Sequence, residues 1–131
     1  MARRALTAAC LAAAALIASG CGSATVEVAK TDPNYTGAEL FAQRCGGCHT
    51  LSAAGTHGSA SNVKNRERTD GPNLDKRNET KEDVLFAIAN GGFSGAIMPE
   101  NIVTGPQAQA IAQFLSEYSG GQRKGKGTPG S

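Results

Sequence analysis

The stretch Cys45-Gly46-Gly47-Cys48-His49 decides how the rest of this chain is interpreted. Two thiols separated by two residues can each add to one of the two vinyl groups of a haem, which forms two thioether bonds. The histidine that follows directly can present its imidazole to the iron as an axial ligand. Gly46 and Gly47 place no Cβ between the thiols, so the backbone can lie close to the porphyrin edge. The pattern indicates covalent attachment of one haem.

A pair of cysteines with this spacing has two other known uses. A zinc site would need further Cys or His ligands, and only His57 is available nearby. A redox dithiol would be expected in a βαβ context, which the sequence does not show, and free thiols on alkylation would favour it. A lone histidine in a polar loop is typically solvated, so haem attachment is the favoured interpretation.

The first twenty residues have the features of an export signal. Arg3 and Arg4 form a positively charged start, and the apolar stretch Ala5–Ala18 follows. That stretch has the length of a signal-peptide core and is too short for a stable membrane span. We therefore predict that residues 1–20 are a signal peptide and that the mature protein is exported.

Cys21 follows Ala18-Ser19-Gly20, and these four residues resemble the lipobox of bacterial lipoproteins, with Ala18 where leucine is usual. Acylation of the Cys21 thiol would anchor the mature chain to the outer face of the cytoplasmic membrane. The alternative is an ordinary secretory signal cut near Ala24, which would discard Cys21 and leave the protein periplasmic.

Cysteine count and charge give no support for a disulfide-stabilised domain or for a nucleic-acid-binding protein. Of four cysteines, Cys10 lies inside the signal and Cys21 is assigned to lipid, which leaves only the C-x-x-C pair and no structural disulfide. A covalent haem would supply the apolar surface that so small a domain otherwise lacks. The chain has 13 basic and 11 acidic residues, and two of the basic ones lie in the signal. The near-neutral mature chain gives no indication of nucleic-acid binding.

Three stretches have the apolar spacing of amphipathic helices. They are Thr36–Cys48, Thr80–Asn90 and Thr104–Ser119. Each begins with a threonine that can cap it, and Glu39 and Gln107 would complete capping boxes in the first and third. Gly91 is a typical residue to follow a helix end. The predicted apolar faces are Leu40 and Phe41 in the first helix, Val84, Leu85 and Ile88 in the second, with Phe86 as a further candidate, and Ile111, Phe114, Leu115 and Tyr118 in the third.

The remaining segments are predicted to be irregular. Residues 21–35 carry the lipidated cysteine and a flexible tether, whose reach of about 3.3 Å per residue would let the domain stand a few nanometres off the membrane. Residues 51–70 form a long polar loop, and residues 120–131 a disordered Gly/Lys-rich tail. One folded domain, 36–119, is left between them.

Met98 is the second residue with a predicted role at iron. Apart from Met1, which the signal would remove, it is the only methionine. It lies between a Gly-rich loop and Pro99, a setting with little reason to be core, although a methionine can also simply fill a gap. A thioether is a soft ligand that suits haem iron and raises its reduction potential. We predict Met98 to be the second axial ligand.

The order of these features resembles that of a small mono-haem class I cytochrome c, over residues 36–119. The features are a helix, Cys45-x-x-Cys48-His49, Gly71-Pro72-Asn73-Leu74, a helix, Met98-Pro99 and a helix. The resemblance implies an all-α fold with three main helices around one covalently bound haem c. It also implies that His49 and Met98 are the axial ligands.

The resemblance implies two further sets of contacts. The carbonyl of Pro72 would accept a hydrogen bond from the other ring nitrogen of His49. The first and last helices would cross through Gly37 and Phe41 on one side and Leu115 and Tyr118 on the other. The long loop 51–70 and the absence of tryptophan depart from many relatives and leave the propionate partners open among Arg66, Arg68 and Asn73.

The implied function is single-electron carriage between a quinol-oxidising complex, similar to a quinol–cytochrome c reductase, and a terminal oxidase. Catalysis is disfavoured because two filled axial positions leave the iron no open site. Gly46, Gly47, Ser94 and Gly95 would flank an exposed haem edge where partners dock weakly. Two alternatives stay open: a permanently bound cytochrome subunit of a larger oxidoreductase, and a haem sensor or peroxidase with a displaceable Met98.

Overall fold

The computed structural model describes residues 25–93 and 97–121, and within them the predicted all-α architecture is confirmed. The elements, in chain order, are α1 (Tyr35–Arg44), β1 (Thr50–Leu51), β2 (Thr56–His57), α2 (Lys81–Asn90) and α3 (Gly105–Tyr118). Short 3-10 turns lie at Ser52–Ala54, Val63–Asn65, Leu74–Lys76 and Ser119–Gly121. The predictions for the signal peptide, Cys10, Cys21, Ser94, Gly95 and residues 122–131 fall outside the described residues.

The centre of the fold is the crossing of α1 and α3. A Cβ added to Gly37 would collide with the carbonyl oxygen of Ala110 and lie 2.8 Å from Cβ of Phe114, so the two backbones meet at this glycine. The ring of Phe41 meets that of Phe114 edge to face, with centroids 6.1 Å apart. Both phenylalanines are completely buried. The crossing therefore forms at the predicted glycine.

The partners at this crossing differ from those the resemblance implies. Ala110 and Phe114 lie against Gly37, while Leu115 is buried one residue further along α3. Tyr118 contacts the crossing through Phe114, whose ring centroid lies 5.1 Å from its own. The difference follows from helical geometry, because residues four apart share a face and adjacent ones do not.

The start of α1 corrects one predicted capping box. The helix begins at Tyr35, and its N-cap residue, Asn34, makes no side-chain cap bond. The side-chain amide of Asn34 instead donates to the carboxylate of Glu117 of α3 at 2.9 Å. Thr36 is therefore already inside the helix, and the predicted Thr36–Glu39 box does not form.

The end of α1 is also earlier than predicted. The helix ends at Arg44, with Cys45 as its C-cap, and does not continue to Cys48. The amide of Gly46 bonds to the carbonyl of Phe41, five residues back, at 3.0 Å. That wider turn ends the helix, so the thiol-bearing residues follow it as a separate turn.

The predicted limits of α2 are confirmed. The hydroxyl of Thr80 accepts a bond from the amide of Asp83 at 3.1 Å, and Gly91 follows the helix with φ +68°. Val84 and Ile88 are buried and Leu85 is half-buried. Phe86 departs from the predicted apolar face.

Phe86 is 51% exposed and stacks on Phe93, with ring centroids 5.3 Å apart. Its position explains this, because it lies two residues from both Val84 and Ile88 and so falls off the face they share.

The predicted apolar face of α3 is confirmed for Ile111, Phe114 and Leu115, which are buried. Tyr118 is half-buried. Pro106 lies in the first turn, but Thr104 makes no side-chain cap bond, so the predicted box with Gln107 is wrong. The missing amide of Pro106 leaves one donor fewer for a cap to satisfy.

Loop 51–70 and residues 25–35, both predicted to be irregular, have more regular structure or more contacts with the domain than predicted. Loop 51–70 opens with an antiparallel hairpin in which Thr50 pairs with His57 and Leu51 with Thr56. From Thr25 onward the chain lies on the domain, and Val28 is buried in the core. The structure therefore corrects the prediction of a flexible tether for residues 25–35. None of the described helices is long and apolar enough to cross a membrane.

Candidate haem-binding site

The two predicted attachment thiols lie on one tight turn at the end of α1. Cys45 is half-buried and Cys48 is exposed, and both are free thiols. Amides of Cys48 and His49 both bond to the carbonyl of Cys45, at 3.1 and 3.0 Å. The turn therefore presents the pair with the histidine directly behind it, as two thioethers and an axial ligand on one haem require.

The backbone of this turn is held from two sides. The carbonyl of His49 accepts from the amide of Gly58 at 3.3 Å, and that of Cys48 accepts from Gly71 at 2.7 Å. A Cβ on Gly58 would lie within 2.7 Å of backbone atoms of Gly46, Gly47 and Cys48. Gly58 directly follows the hairpin, so these contacts hold the first part of loop 51–70 against the attachment turn.

The imidazole of His49 has a single orientation set by its neighbours. Its Nδ1 lies 3.1 Å from the carbonyl oxygen of Pro72, the contact that the resemblance implies. A Cβ on Gly71 would lie 2.5 to 2.7 Å from three atoms of the ring, so Gly71 packs flat against it. The ring centroid of Phe41 is 6.4 Å away. With Nδ1 bonded to a carbonyl, Nε2 is the nitrogen left for a metal.

Gly71 is a residue that sequence reasoning missed. The motif Gly71-Pro72-Asn73-Leu74 includes it, but the resemblance gives a role only to Pro72. Its signal is adjacency to Pro72, because the residue that carries the chain past a ligand toward its carbonyl partner must pass close to the ring.

The electrostatic surroundings favour the ligand form of His49. Burial lowers the pKa of its imidazole below the ordinary value, while the Pro72 carbonyl and Glu79 oppose this shift and Arg77 adds to it. Glu79 is buried and its carboxylate lies 2.9 Å from Nε of Arg77, so the two charges largely offset each other. A neutral imidazole is the form that binds a metal.

Use of the cysteine pair as a redox dithiol or in a zinc site is disfavoured. Burial, with a smaller effect of Cys48, raises the pKa of the Cys45 thiol to about 12, whereas a redox dithiol depends on a readily formed thiolate. Within residues 25–93 and 97–121, no three His, Cys, Asp or Glu side chains cluster as a metal site. The side chain of His57 is exposed on β2 and belongs to no such cluster.

Met98 is held against the end of α2. Its side chain is half-buried and packs on the common hydrophobic core, as Cys45 does. A Cβ on Gly91 would lie 2.8 Å from the carbonyl oxygen of Met98. The amide of Asn101 donates to the carbonyl of Ile88 at 2.7 Å, which joins the chain after Met98 to the last turn of the helix.

Asn101 is a second residue that sequence reasoning missed. It is the only described residue other than glycine with a positive φ, at 51°. Asparagine tolerates this conformation better than most residues. Here it lets the backbone amide of Asn101 reach the carbonyl of Ile88, which is near the C-terminal end of α2, where carbonyls lack partners within the helix. An asparagine three residues after a proposed ligand is a weak signal alone.

The donor set fits a covalently bound haem c. Two free thiols with the required spacing, a neutral imidazole with Nδ1 bonded to a carbonyl and a thioether on the same core are the groups that such a haem needs. Of the predicted propionate candidates, Arg66 and Arg68 are exposed. The amide oxygen of Asn73 accepts from the amide of Asp75 at 2.9 Å and so caps the 3-10 turn that follows.

A family comparison agrees with this geometry. The family model described as Cytochrome c matches residues 35–119, which include every residue of the site described above. Comparison with curated proteins gave no match.

Proposed function

This chain belongs to the cytochrome c family, and from that premise we propose that it carries single electrons at the outer face of the cytoplasmic membrane. It is a haem electron-carrier protein of the mono-haem class I type, and its cofactor is covalently attached haem c. The proposal adds the location, the donor and the acceptor. These are a quinol-oxidising complex as donor and a terminal oxidase as acceptor.

The observation that carries the proposal is the restraint on both residues that we propose as axial ligands. The imidazole of His49 is fixed between the Pro72 carbonyl and Gly71. The chain around Met98 is attached to α2 through Gly91 and Asn101. Two restrained side chains of this kind would both stay available to the iron of a bound haem, and this would favour electron carriage over binding of a substrate.

Each residue of the site has a defined task in this function. Haem c supplies a one-electron couple at its iron when bound. Cys45 and Cys48 would hold the group through thioethers. The Pro72 carbonyl keeps the His49 proton on Nδ1, which directs Nε2 to the metal. Met98 supplies a thioether that favours the reduced state.

Replacement of Met98 tests the proposal. The oxidised holoprotein is expected to show the weak near-infrared sulfur-to-iron band, and Met98→Ala is expected to remove it. The reduced wild type is expected to bind no carbon monoxide at neutral pH, whereas the variant does so because an axial position has opened. An unchanged band in Met98→Ala would overturn the ligand assignment. Carbon monoxide binding by the wild type would favour the sensor or peroxidase alternative.

A further inference from the structure

The segment that leads from the proposed lipid anchor into the domain is bound along the protein surface. Val28 is 6% exposed and Val26 packs partly buried against the core. The amide of Glu27 donates to the carbonyl of Ala53, at the 3-10 turn between the two strands, with a length of 3.1 Å. Backbone and side chains therefore both hold this segment against the hairpin.

The first described residue lies at the tip of that hairpin. A Cβ on Gly55, which directly precedes β2, would collide with the carbonyl oxygen of Thr25. The chain therefore meets the domain at the turn of the β1–β2 hairpin, and residues 26–28 are seated there rather than free.

The opposite end of this segment is also fixed. The hydroxyl of Tyr118 donates to the carboxylate of Asp32 at 2.8 Å, and the side-chain amide of Asn34 donates to the carboxylate of Glu117 at 2.9 Å. Contacts at the hairpin and at α3 thus hold residues 25–34 at both ends. Release of the whole segment would break all of them and expose Val28, so an extended tether through residue 35 is disfavoured.

Few residues lie between the proposed anchor and the first described residue. Four Cα-to-Cα steps separate Cys21 from Thr25, and a fully extended chain covers about 14 Å in four residues. If Cys21 is acylated, as the proposed function holds, its acyl chains lie in the bilayer. The hairpin tip then stays within about 14 Å of the membrane surface.

The hairpin also lies against the haem-attachment turn. A Cβ on Gly46 would lie 2.6 Å from the methyl carbon of Thr56, and Gly58 bonds to His49. The anchor is therefore attached on the side of the domain that carries Cys45 and Cys48. The first half of α3 is a suitable comparison region, because Gln109 lines, with Leu85, a groove between α3 and α2. The bonds of α3 to residues 32 and 34 come from Tyr118 and Glu117, near its other end.

From these contacts we propose that the face made by the β1–β2 hairpin and residues 25–28 lies against the lipid surface. This orientation rests on the lipidated form in the proposed function. It keeps the attachment turn close to the bilayer, where it can meet a redox partner whose docking site is at the membrane surface.

A photoactivatable phospholipid tests the orientation. The full-length protein from bacterial membranes is reconstituted in phosphatidylcholine vesicles that contain a diazirine-labelled lipid, irradiated and mapped by mass spectrometry. Peptides that contain residues 25–28 and 50–58 are expected to be labelled at least fivefold more than the α3 peptide that contains Gln109. A matched variant with fifteen Gly/Ser residues inserted after Gly22 is expected to lose most of this difference, because the domain can then rotate freely.

Three outcomes would overturn the proposal. Equal labelling of the hairpin and α3 in the native-length protein, or preferential labelling of α3, would mean that another face meets the lipid. Unchanged hairpin labelling in the insertion variant would mean that the anchor length does not set the orientation. An intact mass without acyl chains would remove the anchor itself, while the near-infrared band of the same sample would show whether electron carriage still stands.

Discussion

Gly37→Ala is the sharpest test of how the fold is held together. A Cβ at position 37 would lie 2.8 Å from Cβ of Phe114 and would collide with the Ala110 carbonyl oxygen. Ordinary contact needs more room, so α1 and α3 must separate. A gap of about 0.5–1 Å already forfeits about a quarter to a half of the dispersion energy of the contacts that it opens.

Two terms of opposite sign decide the magnitude. Overpacking of this kind costs about 1–3 kcal/mol. Alanine is a better helix former than glycine by up to about 1 kcal/mol. The net loss in the free energy of unfolding is expected to be about 1–2 kcal/mol. With a guanidinium slope of about 3–4 kcal/mol per molar, the unfolding midpoint should fall by about 0.3–0.6 M.

The assay is guanidinium titration of the oxidised holoprotein, followed by far-ultraviolet circular dichroism. Thr36→Ala is the matched control, because Thr36 is the exposed neighbour of Gly37 in the same helical turn. This change should leave the free energy of unfolding within about 0.5 kcal/mol of wild type. If Gly37→Ala unfolds at or above the wild-type midpoint, helix propensity outweighs crowding, and the close approach at Gly37 does not control the crossing.

Two further pairs of variants separate the tasks of similar residues. Thr80→Ala should lower the free energy of unfolding by about 1 kcal/mol, because the Thr80 hydroxyl caps α2. Thr104→Ala should lower it by less than about 0.5 kcal/mol, because Thr104 makes no cap bond. Equal losses for the two variants in guanidinium titration would contradict the assignment of the cap to Thr80. Gly91→Ala should raise the affinity of the oxidised protein for added imidazole by about tenfold, since strain of about 1–2 kcal/mol and contact with Met98 loosen the ligand loop. Gly105→Ala is the control, because Gly105 has a similar φ of +57° but open space around it, and this change should leave the affinity for imidazole unchanged. An equal rise in imidazole affinity in both variants would mean that general destabilisation, and not the contact of Gly91 with Met98, causes the effect.

The identity of the cofactor could be predicted from five consecutive residues. The chemistry of attachment is local, because two thiols and an imidazole on one turn reach the same group wherever the rest of the chain lies. The family match confirms haem c, and the same reasoning holds for the α2 cap, which depends on Thr80 and Asp83 alone. The axial role of Met98 was inferred from its setting and stays a prediction.

Features that depend on distant parts of the chain were predicted less well. The capping boxes at Thr36 and Thr104 have the right residue types, yet Asn34 binds Glu117 across the fold and α1 starts one residue early. The partners of Gly37 could be placed only to the nearest helical turn, because the angle and offset at which α1 meets α3 depend on how all the side chains between them pack.

The placement of residues 25–34 was decided by tertiary structure alone. In sequence this segment is short and mostly polar, and the alternation of Val26 and Val28 with polar residues is a weak signal over so few positions. Val28 is buried in the common hydrophobic core, and its own sequence neighbours could not bury it alone. Local residue patterns thus determined the chemistry of this protein, since attachment needs only neighbours. Burial needs surfaces that distant segments build, and these determined where the proposed anchor meets the domain.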